Sequence, residues 1–221
     1  DGRRTDALLL AGAAAVKAKN ESKGWEYVLA KGYKADPLQS GPRAPMSAVY
    51  FSKADFIGSA RGTFAKLGKD AEDPNPRLAE GILAWHSGDL AAADDQLSKV
   101  VAADPTNATA FAFKGLIAIK RRDFASAMKH ATKAVAGDRT SGLAHCVLGW
   151  AQLLTNKPDV ARKTLQKAVE LAPTLQLARA RLAEADLKVK KAGEARAAMN
   201  TLLLADASYA EAKRVLYGIS P

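Results

Sequence analysis

Small residues return along this chain at a fixed interval. Gly81, Gly115 and Gly149 lie 34 residues apart, and so do Ala93, Ala127, Ala161 and Ala195. Pro105 and Pro173 are two periods apart with Arg139 between them. Asp36, Asp70, Asp104, Asp138 and Asp206 keep the same interval, Ala172 being the exception. Four independent columns on one period constrain the fold more than any other feature. A chain of such repeats stacks one supersecondary unit on the next and buries a continuous core between neighbours. Composition points to helices as the units: of 221 residues, 48% are apolar and 6% aromatic. Alanine is used heavily, which favours helix over a β-sandwich.

The segments from Leu78, Ala112 and Val147 align on this frame, each with two amphipathic stretches around a short polar break. The breaks are Ser87-Gly88-Asp89, Arg121-Arg122-Asp123 and Asn156-Lys157-Pro158-Asp159. Pro158 opens a helix, where its missing N–H costs nothing. Glycine on the first stretch and alanine on the second let the two backbones approach closely. Asp-Pro ends the second helix and starts the next turn.

These residues resemble the tetratricopeptide repeat. Leu148-Gly149, Ala161, Leu165, Ala168 and Pro173 match its pattern best; Gly81, Ala93, Leu97 and Pro105 match it one unit earlier, and Gly115, Ala127 and Ala134 in the unit between. The aromatic slots depart from it, being held by Arg77, Phe111 and His145 and by Ala84, Ala118 and Gln152. The resemblance implies an all-α fold, a right-handed superhelical solenoid of helix-turn-helix repeats. Units are expected from about 6, 40, 74, 108, 142 and 176. Residues 1–73 read as degenerate N-terminal helical repeats, and residues 74–221 as repeats of this family closed by a capping helix from about Tyr209 to Tyr217. Pro42 and Pro45 shorten the first helix of unit 40–73, and Trp25 takes a small-residue slot in unit 6–39.

Little in the chain points to catalysis. The single cysteine, Cys146, excludes an internal disulfide and a Cys-rich zinc site. His145 beside it points about 100° away on a helix and is badly placed to activate it, so a packed or groove-lining thiol is expected. His86, His130 and His145 have no i,i+4 partner. Asp94-Asp95 follows a helix start and reads as a solvated face. Phosphate loops, zinc-protease motifs and nucleophile elbows are missing. The expectation is no enzyme, no cofactor and no metal.

Lysine and arginine number 33 against 23 acids, a formal charge of +10, which favours acidic partners. Lys31, Lys99, Lys133 and Lys167 share one column, with Lys129 and Lys163 one turn before, forming an outer ridge. No aromatic is interleaved with it, so it reads as a solvated face and argues against nucleic acid. No stretch approaches the roughly 18 apolar residues of a membrane span. Ala7 to Val16 reads as an amphipathic helix in preference to a signal peptide, and the start at Asp1 as a processed or excised chain.

On the first helices, the side opposite the small residues is the one that lines the concave groove in this family. It carries Leu78, Ile82, Trp85, Leu116, Ile119, Trp150, Leu153 and Leu187, an apolar surface with two tryptophans. The expected function is a non-catalytic protein–protein interaction module, an adaptor or assembly scaffold binding a partner segment there. The alternative for this face is packing against neighbouring repeats or the chain's own residues 40–60. The slots at which some members grip a C-terminal carboxylate are apolar here, so that clamp is not expected. The rival readings are a subunit buried in a larger complex and a basic nucleic-acid-binding protein. High alanine content suggests a bacterial source, and the chain reads as a soluble protein of cytoplasm or periplasm.

Overall fold

The computed structural model describes residues 75–205, residue 174 excepted. They form eight helices: α1 (Asn75–His86), α2 (Leu90–Ala103), α3 (Ala108–Lys120), α4 (Phe124–Gly137), α5 (Gly142–Leu154), α6 (Pro158–Leu171), α7 (Gln176–Lys188) and α8 (Ala192–Ala205). No strand occurs among the described residues. The first helices α3, α5 and α7 begin at 108, 142 and 176, on the 34-residue frame. Units 6–39 and 40–73, Trp25 and the helix expected near Tyr209 to Tyr217 lie outside the described residues.

Short side chains open the helices. The carboxylates of Asp89 and Asp123 accept from the N–H groups of Ala92 and Ser126, and the side chains of Asn107 and Ser141 do the same for Ala110 and Ala144. Each satisfies one of the amides that a helix start leaves without an internal partner. Pro158 stands at the start of α6, where no side chain caps the helix. The aspartate column closes helices. Asp104 Oδ1 accepts from the backbone N–H and hydroxyl of Thr106 at 2.9 and 2.7 Å, and Asp138 binds Thr140 likewise at 2.8 and 2.7 Å. The Thr106 hydroxyl holds the Asp104 carboxyl below its ordinary range.

Inside each hairpin the turn uses a left-handed residue: Gly88 (φ 83°), Arg122 (φ 60°), Asn156 (φ 59°) and Lys190 (φ 65°). These four are 34 residues apart, so the turn conformation repeats although its sequence does not. Glycine adopts it without steric cost and asparagine tolerates it, whereas arginine and lysine adopt it against their preference.

The hairpins α1–α2, α3–α4, α5–α6 and α7–α8 stack in order, with α1, α3, α5 and α7 also touching in sequence. The first helices are therefore packed from more sides. Nine of 13 residues are buried on α3 and on α5, against three of 14 on α4 and on α6. Ala93, Ala127, Ala161 and Ala195 are all fully buried. A methyl group at Gly149 would lie 2.5 Å from Leu165 Cγ and 3.3 Å from the Ala161 carbonyl oxygen. At Gly81 it would lie 2.8 Å from Leu97 Cγ. At Gly81 and Gly149 the two helices of a hairpin thus approach closely, whereas at Gly115 the nearest atom is Val147 Cγ1 of the next hairpin.

Candidate functional site

The expected concave-face residues separate into two groups. Ile82, Leu116, Ile119 and Leu153 are buried, while Leu78, Trp85, Trp150 and Leu187 are half-buried. The Trp85 ring meets buried Phe113 edge-on, with centroids 5.5 Å apart. Cys146 is fully buried, and burial pushes its thiol up to about 12 against the opposing charge of Arg181. A thiolate nucleophile there is out of reach at neutral pH.

Only two of the eight residues, Ile119 and Trp150, line the open depression on this part of the molecule, which has a volume of about 490 Å³. Its other walls are Lys120, Arg122, Phe124, Leu154, Arg181 and Glu184. The ends of α3 and α5, the turn after α3, the start of α4 and the middle of α7 thus contribute to one surface. Leu154 is 36% exposed, one of three large hydrophobic side chains so exposed among the described residues.

Arg181 organises the depression. It is only 3% exposed, and its guanidinium lies 4.2 Å from the centroid of the Trp150 ring. One of its terminal nitrogens donates to the Glu184 carboxylate at 2.6 Å, one turn along the same helix. Cation–π attraction strengthens when the cation is desolvated, so Trp150 and Arg181 fix each other's orientation. Sequence reasoning selected Trp150 but missed Arg181, because a single arginine on an alanine-rich helix carries no motif. Lys120 and Leu154 were also missed, although they occupy one frame position in successive repeats.

Asp94 departs from the solvated face expected of it. It accepts from Lys114 Nζ and Arg121 Nη1, each at 2.6 Å, linking α2 to the next repeat. Burial works to raise its pKa, but the hydrogen bonds and charges of these two cations outweigh it and leave the pKa lowered. Asp95 does face solvent and pairs with Lys99 at 2.7 Å. Further along, Arg162 of α6 binds Asp186 of α7 at 2.6 Å and Glu194 of α8 at 3.1 Å. The lysine ridge is exposed at Lys99, Lys129, Lys133, Lys163 and Lys167. Lys133 Nζ sits 5.1 Å from the centroid of the Phe111 ring, which stacks on His130.

The tetratricopeptide repeat family pattern matches residues 143–175, which contain α5 and α6. No curated protein sequence matches the chain. Among solved structures, the chain is similar to TTC0263, a thermophilic protein of this repeat class from Thermus thermophilus. The two are 17% identical with a TM-score of 0.62, over 78% of this chain and 95% of the other. It is similar to the Cut9–Hcn1 hetero-tetramer of the APC/C at 18% identity and a TM-score of 0.69, over 97% of this chain and 42% of that one. It is also similar to YrrB, described as having an unusual peptide-binding site, at 15% identity and a TM-score of 0.53, over 86% of this chain and 97% of YrrB. At such identities these likenesses speak to the fold. Among the described residues no helix is long and apolar enough to cross a membrane. The family pattern thus falls on α5–α6, and the described hairpins share the all-α superhelical solenoid fold of these structures.

Proposed function

We infer that the chain is a non-catalytic protein–protein interaction module, an adaptor or assembly scaffold that takes a partner segment on its first-helix face. One observation carries this reading: Trp85 and Trp150 stay half-buried on helices that are otherwise densely buried. Tryptophan is enriched among residues that dominate binding energy, and leaving two of them partly in water forgoes apolar burial unless a partner covers them. The fold agrees, since repeat solenoids use extended concave surfaces for binding. A peptide-binding site in YrrB, a protein of the same fold, is a precedent. Leu78 and Leu187 are half-buried on first helices as well, whereas Ile82, Leu116, Ile119 and Leu153 are buried.

The test is to make Trp85→Ala and Trp150→Ala separately and to measure melting temperature and partner capture for each. Truncating an anchor of this kind costs about 2 kcal/mol or more of binding. Lost capture at unchanged melting supports the reading. Lost melting with no separable effect on binding assigns the tryptophans to the core instead. An isolated chain that aggregates favours a subunit buried in a larger complex.

A further inference from the structure

Two cations that lack an ion-pair partner among the described residues line the depression at Trp150. Lys120 and Arg122 are exposed walls of it. Lys157, Lys188 and Lys190 occupy the corresponding end of the next two hairpins. None of these five forms an ion pair among the described residues. Their neighbours Arg121 and Lys191 differ, being engaged by Asp94 and by Glu194. Arg122 and Lys190 are exposed and are the left-handed residues of their turns. The depression thus has apolar walls of Ile119, Phe124, Trp150 and Leu154 beside two cations, Lys120 and Arg122, that form no ion pair among the described residues.

We propose that this depression binds an acidic peptide segment, whose large apolar side chain enters against Trp150 and Leu154 while flanking carboxylates meet Lys120 and Arg122. This rests on the interaction reading above and names the chemistry of the partner. Charge complementarity selects the occupant. Opposite charges at a rim steer encounter and fix register, and arginine is suited to carboxylate through its planar fork. Single-stranded nucleic acid fits less well, because it needs free aromatic faces for its bases. Here Arg181 already lies over the Trp150 ring, so that face is not free to stack on a base. The chain's own residues 40–60 also fit poorly, since they carry Arg43 and Lys53 against the single acid Asp55.

The experiment is selection from a random peptide library against the full chain. Binding of the enriched peptides is then measured by fluorescence anisotropy at two salt concentrations. The comparison protein carries Lys120→Glu with Arg122→Asn. Both positions are exposed, and asparagine already serves at the equivalent turn position 156. Circular dichroism checks that this variant keeps its fold. The expected result is enrichment of peptides with acidic residues flanking a leucine or aromatic residue, bound about tenfold more weakly by the variant and more weakly at high salt. Neutral or basic peptides, or peptides indifferent to the variant, overturn the proposal while leaving the interaction reading in place. Peptides resembling residues 40–60 overturn it in favour of an internal occupant. An oligonucleotide that displaces the peptides at lower concentration overturns it in favour of nucleic acid. Self-association that the variant abolishes, seen by sedimentation, overturns it in favour of a second copy. Enrichment of no peptide at all removes both the proposal and the reading beneath it.

Discussion

The four left-handed turn residues pose one backbone problem with four different side chains. Gly88 meets it freely, Asn156 tolerates it, and Arg122 and Lys190 bear a steric cost. Replacing Lys190 with glycine should raise stability by about 0.5–1 kcal/mol. Asn156→Gly should gain less, and Gly88→Ala should lose about 1 kcal/mol; chemical denaturation of the three variants checks the order. His130 supplies a second residue-scale test. Its Nδ1 is buried without a hydrogen bond among the described residues. Burial lowers its pKa below the ordinary 6.5; Lys114, Lys129 and Lys133 add to the shift and Asp94 opposes it. The unfolded chain therefore binds the proton first as pH falls. The contribution of His130 is complete above its ordinary value of 6.5 and is lost as pH drops towards the folded pKa. His130→Gln should flatten the melting temperature over that window; an unchanged slope would show that the imidazole is not the group responsible.

At the scale of the helix, the glycine and alanine columns set how closely two cylinders approach. A methyl at Gly149 would press on Leu165 Cγ, a branch point that cannot swing aside, and on the Ala161 backbone. At Gly115 the nearest atom is Val147 Cγ1 at 2.8 Å, with the backbone of Ala127 and Ala131 at 3.7 Å. Gly149→Ala should therefore cost about 1–3 kcal/mol, and Gly115→Ala should cost less. A reversed order in thermal melts would mean that hairpin contact does not govern these positions. Much of this was legible beforehand. The period placed the glycines, the alanines, the capping aspartates and Pro158 correctly, because each answers a local requirement that recurs in every unit. The sequence pattern was silent on Gly137 and Gly142, which lie outside the columns. A methyl at Gly137 would run into the backbone of Thr106, and at Gly142 into Ala172. Those constraints come from how one helix meets the turn beside it.

Across the whole molecule, coupling passes from each repeat to the next. Asp94 reaches Lys114 and Arg121, and Arg162 reaches Asp186 and Glu194. One network centres on an acid and the other on a base, so equivalent links are built with opposite signs. Asp94 has a lowered pKa in the fold, so its stabilisation is complete above its ordinary value of 3.8. It is lost as pH falls through the folded value. Asp94→Asn should therefore lower the melting temperature at neutral pH and shrink the acid-induced drop, which scanning calorimetry at about pH 7 and about pH 3 can check. Overpacking should also spread only as far as contacts allow. Ala127→Leu should cost about 1–3 kcal/mol and should speed hydrogen exchange most in α3–α4 and the adjoining hairpins. Uniform loosening would contradict a repeat-by-repeat architecture.

The sequence alone determined the fold class, the 34-residue frame and the helix breaks, because periodicity, capping and close helix approach are local and repeat. It also pointed to one face of the first helices as the side to watch. Which residues on that face keep any surface was a tertiary matter. Ile82, Leu116, Ile119 and Leu153 look like Trp85 and Trp150 in the pattern, yet they are buried while the two tryptophans are not. Burial there depends on how each first helix meets the next, which helical periodicity cannot encode. The depression beneath Trp150 is the plainest case. Lys120, Arg122, Leu154 and Arg181 come from three repeats. Only stacking those repeats sets an arginine over the indole and, among the described residues, leaves Lys120 and Arg122 without a carboxylate.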